Sequence, residues 1–199
     1  LQDVSITANR GTIYDSNMNV LAQSATVWDV ILSPKDFYAA KNELKGENGE
    51  AAIQAEKDAY ERTMIEGLAE ILDVETSSIE EHLTHTESMY REVSRKVVKS
   101  VADEVTAFVA ENDIAGVYLQ VNTKRFYPYD DLASSVIGFT NYDNQGVYGL
   151  EAEYDEVLSG TPGRQISAKN AVGETMPTTY EQYYPAQDGN SLVLTIDQV

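Results

Sequence analysis

The sequence predicts an α+β fold, with strands at both ends of the chain and helices between them. Three observations carry that expectation. All five prolines, Pro34, Pro128, Pro162, Pro177 and Pro185, lie outside the interval from Lys35 to Tyr127. Proline lacks an N–H and clashes inside a helix, so the empty interval is where long helices belong. The flanks hold β-branched and alternating runs, while the middle repeats apolar residues at helical spacing.

In chain order, Thr26 to Leu32 is rich in strand formers and stops at Ser33-Pro34. From Ala51 to Leu72, residues Ile53, Tyr60, Met64, Leu68 and Ile71 recur at intervals of 7, 4, 4 and 3, one face of a helix. A shorter helix is expected after Ser77 or Ser78, carrying Ile79 and Leu83. A third is expected from Ser100, whose Ser-x-x-Asp to Asp103 resembles a capping box with Asp in place of Glu or Gln. Its apolar face is Val101, Val105, Phe108 and Val109, and Gly116 follows its end. Val117 to Val121 then alternates, with Tyr118 and Gln120 on the opposite face. A short acidic helix around Glu151 has Leu150, Tyr154, Val157 and Leu158 as its expected buried side, and Leu192 to Ile196 reads as a buried strand.

Charge and composition exclude several functions. The formal net charge is −19, which leaves phosphate backbones and anionic headgroups without an electrostatic partner and argues against nucleic-acid binding. The acidity is spread out: residues 41–113 hold 18 acidic and 8 basic side chains, and the flanks hold 15 and 6. A solvated acidic surface follows. With no cysteine, disulfides, thiolate metal sites and cysteine nucleophiles are excluded together. No apolar run approaches the roughly 18–20 residues of a spanning helix, and no signal-peptide pattern is present. Leu1 in place of an initiating Met is what a piece of a longer chain is expected to show.

The motifs that could carry chemistry fail one at a time. Asp15-Ser16-Asn17-Met18-Asn19 matches the first ligand positions of an EF-hand, but Val20 stands where Gly is needed and Thr26 where Glu is needed, so it reads as a polar turn. His82 and His85 form an i, i+3 pair without a third zinc ligand. Glu151, Glu153, Asp155 and Glu156 crowd one helix, whereas glycosidase carboxylates face each other about 5–9 Å apart across a sugar. Gly146 and Gly149 lack the glycine density and lysine of a phosphate loop, and neither Ser-x-x-Lys nor Gly-x-Ser-x-Gly occurs. Neither a catalytic constellation nor a cofactor site emerges, and no metal site does.

Three blocks nevertheless form an ordered set. The first is Arg10-Gly11-Thr12-Ile13-Tyr14-Asp15 with Leu21-Ala22. The second is Arg125-Phe126-Tyr127-Pro128 with Leu132-Ala133 and Val136-Ile137-Gly138-Phe139. The third is Gly146-Val147-Tyr148-Gly149-Leu150-Glu151 with Tyr154-Asp155 and Leu158-Ser159-Gly160. Together they resemble the N-terminal pedestal, or dimerisation, domain of class B penicillin-binding proteins, the monofunctional peptidoglycan D,D-transpeptidases. Asp188-Gly189 and Leu192 to Asp197 resemble the segment leading into the family's transpeptidase domain. Residues 36–115 share only length and helical character with the family, and the first turn has Asn17-Met18-Asn19 where the family often has a glycine.

The resemblance implies an elongated strand-rich body from residues 1–35 and 116–199 with an inserted helical head at 36–115. Arg10, Gly11, Asp15, Arg125, Pro128, Gly149 and Glu151 are the structural family-motif residues it singles out. It implies a non-catalytic fragment that does not bind penicillin, because the family's Ser-x-x-Lys, Ser-x-Asn and Lys-Thr-Gly motifs do not occur in these residues. The catalytic domain is expected after Val199, and a membrane helix before Leu1 would place the domain on the outer face of the bacterial cytoplasmic membrane. Implied partners are a SEDS-type glycan polymerase, scaffold proteins of elongation, division or sporulation, and a second copy in a homodimer. The competing reading is a free-standing acidic hydrolase or extracellular binding protein.

Two structural expectations follow from the residues. Arg10 and Arg125 are scarce cations among apolar and turn-forming neighbours, so each is expected to be paired, Arg10 with Glu151 and Arg125 with Asp15 or another carboxylate. Gly11 and Gly149 are expected to let the two backbones approach. In the middle region, Tyr60, Tyr90 and Phe108 are expected to leave an exposed apolar patch rimmed by acids.

Overall fold

The computed structural model describes residues 2–46, 49–129, 134–167 and 181–197. The motif residues Leu132 and Ala133, and Pro177, lie outside the described residues. The elements run β1 (Gln2–Ile6), β2 (Ile13–Tyr14), β3 (Val20–Leu32), α1 (Pro34–Glu43), α2 (Gln54–Leu72), α3 (Thr76–Leu83), β4 (Arg91–Val97), α4 (Lys99–Glu111), β5 (Val117–Phe126), α5 (Ser134–Ile137), β6 (Phe139–Thr140), β7 (Gly146–Tyr148), α6 (Gly149–Glu153), α7 (Asp155–Leu158), β8 (Gly163–Ser167), β9 (Glu181–Tyr184) and β10 (Leu192–Val193). The α+β class is as the sequence predicts. Two compact units share these elements: Leu1–Ala25 with Thr123–Val199, and Thr26–Asn122.

The second unit is a sheet with helices packed on it. β3 pairs antiparallel with β4, and β5 also pairs with β3. Val30, Leu32, Phe37, Met64, Leu68, Ile79, Leu83 and Val105 make its buried core. This unit extends beyond the interval 36–115, because the helices bury their apolar faces on strand residues such as Val30, Leu32 and Val117.

Several local readings change here. Ser33-Pro34 starts a helix as well as ending a strand: Ser33 Oγ accepts the Asp36 N–H at 3.3 Å, and Pro34, whose missing N–H costs nothing there, opens α1. Ser100 does not cap α4. The helix starts one residue earlier, and Lys99 pairs with Asp103 at 2.7 Å instead. β4 lies inside the region read as wholly helical. Ile53 precedes α2 and is exposed, and its N–H donates to Glu56 Oε2 at 2.9 Å.

Tyr60, Tyr90 and Phe108 do not gather into the expected apolar patch. Tyr60 stacks on Phe37 with ring centroids 5.4 Å apart, while its hydroxyl donates to the Asp113 carbonyl and accepts the Ala115 N–H. Phe108 packs on the core cluster, and only Tyr90 stands exposed.

The first unit has a smaller core of Ile13, Leu21, Ala22, Ile137 and Leu158, covered by Tyr127, Leu192 and Leu194. β2 pairs antiparallel with the start of β3 and parallel with β10, in the register Leu192–Ile13 and Val193–Tyr14. A separate antiparallel sheet has the order β1-β8-β9, and β6 and β7 form a two-stranded ribbon. Leu192 to Ile196 is less buried than expected, with Val193 and Ile196 exposed. Of the expected buried side of the acidic helix only Leu158 is buried, because a Tyr154 break splits that helix into α6 and α7.

Candidate functional site

The polar centre of the first unit is one carboxylate between two arginines. Glu151 sits in the first turn of α6, fully buried at 0% exposure, with Arg10 at 4% and Arg125 at 6%. Arg10 Nε donates to Glu151 Oε2 at 2.7 Å, and Arg125 Nε donates to Oε1 at 2.7 Å. A carboxylate taken out of water requires such partners on both oxygens. The Tyr127 hydroxyl adds a longer contact to Oε1 at 3.4 Å. Burial, and then the Glu151 charge, push the Tyr127 phenol above its ordinary value.

The arginines also clamp the backbone. Arg10 Nη2 donates to the Glu151 carbonyl at 2.7 Å, and its Nη1 reaches Asp155 Oδ1 at 2.6 Å, Ser159 Oγ at 2.9 Å and the Asn144 carbonyl at 3.2 Å. Arg125 Nη1 donates to the Gly11 carbonyl at 2.8 Å. Among the described residues, Arg125 Nη2 is the buried side-chain polar atom left without a hydrogen-bond partner. Burial pushes the Asp155 carboxyl up, but the Gly146 N–H and the Arg10 guanidinium outweigh that and hold it below the usual carboxylate range.

The structure therefore pairs Arg10 with Glu151, but Arg125 shares that carboxylate rather than taking Asp15. Asp15 is spent on its own turn: Oδ1 accepts the N–H groups of Asn17 at 2.9 Å and Asn19 at 2.7 Å, and Oδ2 accepts Asn19 Nδ2 at 2.8 Å. That side chain closes the turn between β2 and β3, and the residue with positive φ is Met18 at 67°, not an asparagine.

Gly11 and Gly149 each permit a close backbone approach, but to different segments. A Cβ on Gly11 would collide with the Asn190 carbonyl, while Gly149, at φ 63°, closes onto the backbones of Val136 and Gly138. The contact that Gly11 permits joins the segment before β2 to the one before β10. Gly189 N–H donates to the Asn9 carbonyl at 2.9 Å, and Asp188 Oδ1 accepts the Asn9 N–H at 2.8 Å. Pro128 is exposed in the turn after β5.

This arrangement ties three segments of the chain to one carboxylate. Both Glu151 oxygens accept from guanidinium groups, and the carboxylate is fully buried between them. Elsewhere, His82 Nδ1 accepts from Arg91 Nε at 3.3 Å. Burial, followed by the Arg91 charge, lowers that imidazole's pKa. Among the described residues no group of His, Asp or Glu is placed to hold a metal ion, and no helix is long and apolar enough to cross a membrane.

Fold and clamp together define an α+β domain whose first unit holds a closed polar node of Arg10, Arg125 and Glu151. The family model described as the penicillin-binding protein dimerisation domain matches residues 5–194, and the chain belongs to that family. Among curated relatives, stage V sporulation protein D of Bacillus subtilis (strain 168) is 35% identical over 132 residues, 65% of this chain and 20% of that protein. The probable peptidoglycan D,D-transpeptidase PenA of Neisseria gonorrhoeae is 28% identical over 195 residues, 98% of this chain and 30% of that protein. The chain thus spans less than a third of the length of these relatives.

Solved structures share the fold. The complex between penicillin-binding protein PBP2 and MreC from Helicobacter pylori matches with a TM-score of 0.65 at 21% identity, covering 99% of this chain and 36% of that one. Penicillin-binding protein 2X from Streptococcus thermophilus matches at 0.59 and 23% identity, covering 96% and 28%.

Proposed function

We propose that this domain is the non-catalytic pedestal of a peptidoglycan D,D-transpeptidase, carrying the penicillin-binding domain away from the membrane and presenting surfaces to cell-wall partners. One observation carries the reading: the segment that enters the domain and the segment that leaves it are bound to each other. β2 runs parallel to β10, Asn9 is tied to Asp188 and Gly189, and Arg10, one residue on, is locked into the Glu151 node. Displacement at one end of such a unit is passed to the other through paired backbone and a buried ion pair, which is what a rigid spacer requires. The proposed setting is the outer face of the bacterial cytoplasmic membrane, with the anchor preceding the domain and the catalytic domain following it.

Arg10, Gly11, Asp15, Arg125, Pro128, Gly149 and Glu151 are proposed to be structural in this role. The proposed partners are a scaffold protein and a SEDS-type polymerase. The first draws support from the fold shared with a penicillin-binding protein solved in complex with MreC. A homodimer is less favoured, since each copy carries a charge of −19.

The test replaces residues 5–194 of the full-length transpeptidase with a flexible Gly/Ser linker. The linker variant is expected to retain acylation by a fluorescent penicillin and to fail in supporting wall synthesis in cells. Full support of wall synthesis by the linker variant would refute the pedestal role. Covalent penicillin labelling of the present chain would refute its non-catalytic status.

A further inference from the structure

The β6–β7 hairpin of the first unit carries aromatic surface that stays exposed among the described residues. Its strands pair Phe139 with Tyr148, and the two rings stack with centroids 6.3 Å apart and planes 24° apart. Phe139 is nevertheless 53% exposed and Tyr148 56% exposed, and Val136, Tyr142 and Val147 of the same stretch are exposed as well. The platform is fixed in place. Asn141 Oδ1 accepts the N–H groups of Asp143 at 3.0 Å and Gln145 at 2.9 Å, which closes the hairpin loop. A rigid apolar face of this kind binds without a large ordering cost.

The charge around the hairpin decides what covers it. Residues 126–163 contain seven Asp and Glu and not one Lys or Arg. Glu151 and Asp155 are taken up by Arg10 and Arg125, while Glu153 and Glu156 face solvent. A second copy of the chain would set this acidic stretch against itself, and an anionic lipid surface would repel it. The exposed faces of Phe139 and Tyr148 are suited to guanidinium and ammonium groups, and the acidity of the surrounding stretch reinforces that attraction.

We propose that the Phe139–Tyr148 hairpin docks a polypeptide segment of a partner protein that presents Arg or Lys beside an apolar side chain. The inference rests on the reading of this domain as a partner-contacting pedestal. It is read out by binding to the present chain, however, whereas the pedestal role is read out by wall synthesis in cells, so either can fail alone.

The probe is a short fluorescein-labelled peptide of alternating Arg and Leu, followed by anisotropy. Phe139→Ala with Tyr148→Ala changes no charge, yet is expected to weaken binding by about tenfold. Val147→Lys, which adds a cation to the same hairpin, is expected to weaken it similarly by opposing a cationic partner, and this variant carries the test if the double variant fails to melt cooperatively. Tyr90→Ala, in the second unit, is expected to leave binding unchanged. Equal binding by all four proteins would mean diffuse attraction to an acidic chain and would overturn the proposal. Self-association that the double variant abolishes, or capture by phosphatidylglycerol vesicles in preference to the peptide, would overturn it too.

Discussion

Replacing Glu151 by Ala strands two buried cations at once, and the structure says which one suffers more. Arg10 would keep Asp155 Oδ1 at 2.6 Å together with the Asn144 carbonyl and Ser159 Oγ. Arg125 would keep only the carbonyls of Gly11 at 2.8 Å and Arg10 at 3.4 Å, with Nη2 already unpartnered. Removing one partner of a buried ion pair costs about 3–5 kcal/mol, and Glu151→Ala is expected within that range. Glu151→Gln keeps the shape and one acceptor and is expected to cost less, about 2–3 kcal/mol.

Double-mutant cycles then rank the two pairs. Arg125 with Glu151 should couple more strongly than Arg10 with Glu151, because Arg10 has a second carboxylate. Urea unfolding followed by far-UV circular dichroism is the assay. The single tryptophan, Trp28, lies in the second unit, so its fluorescence reports that unit and not the node. A cost below about 1 kcal/mol for Glu151→Ala, the value of an exposed pair, or the reverse order of coupling, would refute the reasoning.

Two further outcomes follow. Asp155 has a pKa below its unfolded value, so the stability it contributes is fully present above that value and is lost as pH falls through the folded one; the urea midpoint should therefore drop in the acid limb, and Asp155→Asn should flatten part of that drop, an unchanged limb counting against the assignment. Gly149→Ala would force a side chain into φ 63° with its Cβ 2.6 Å from the Val136 carbonyl oxygen, and is expected to lower stability by about 1–3 kcal/mol; a neutral effect in thermal unfolding would contradict the close approach of these segments.

Much of the helical content was legible because burial repeats at helical spacing. Met64 and Leu68 of α2, Ile79 and Leu83 of α3, and Val105 of α4 all point into one core. β4 was not legible because Arg91–Val97 is mostly charged or polar, with only Val93 and Val97 packing on that core. α1 was hidden by a dipeptide with two meanings: Ser33-Pro34 ends a strand and caps a helix in the same place.

The Arg10–Glu151 pair was accessible from the scarcity of basic residues in the flanks, but the sharing of Glu151 by Arg125 was not. Asp15 looked equally available to Arg125, yet its own turn donates three hydrogen bonds to it, and those short-range contacts take precedence over a long-range ion pair. The pairing of β10 with β2 lies beyond local patterning altogether, since each strand has only two residues.

In the proposed role, the Glu151 node makes this domain a mechanical support and plays no part in acyl transfer. The most direct test is Glu151→Gln in the proposed full-length transpeptidase, with two measurements on one variant: the rate of acylation by fluorescent penicillin in the purified protein, and incorporation of a fluorescent D-amino acid into the wall of cells that depend on it. The account predicts unchanged acylation with reduced incorporation. Acylation lost in step with incorporation would place the node in the catalytic machinery, and incorporation at the level of the unmodified protein would remove its role in support.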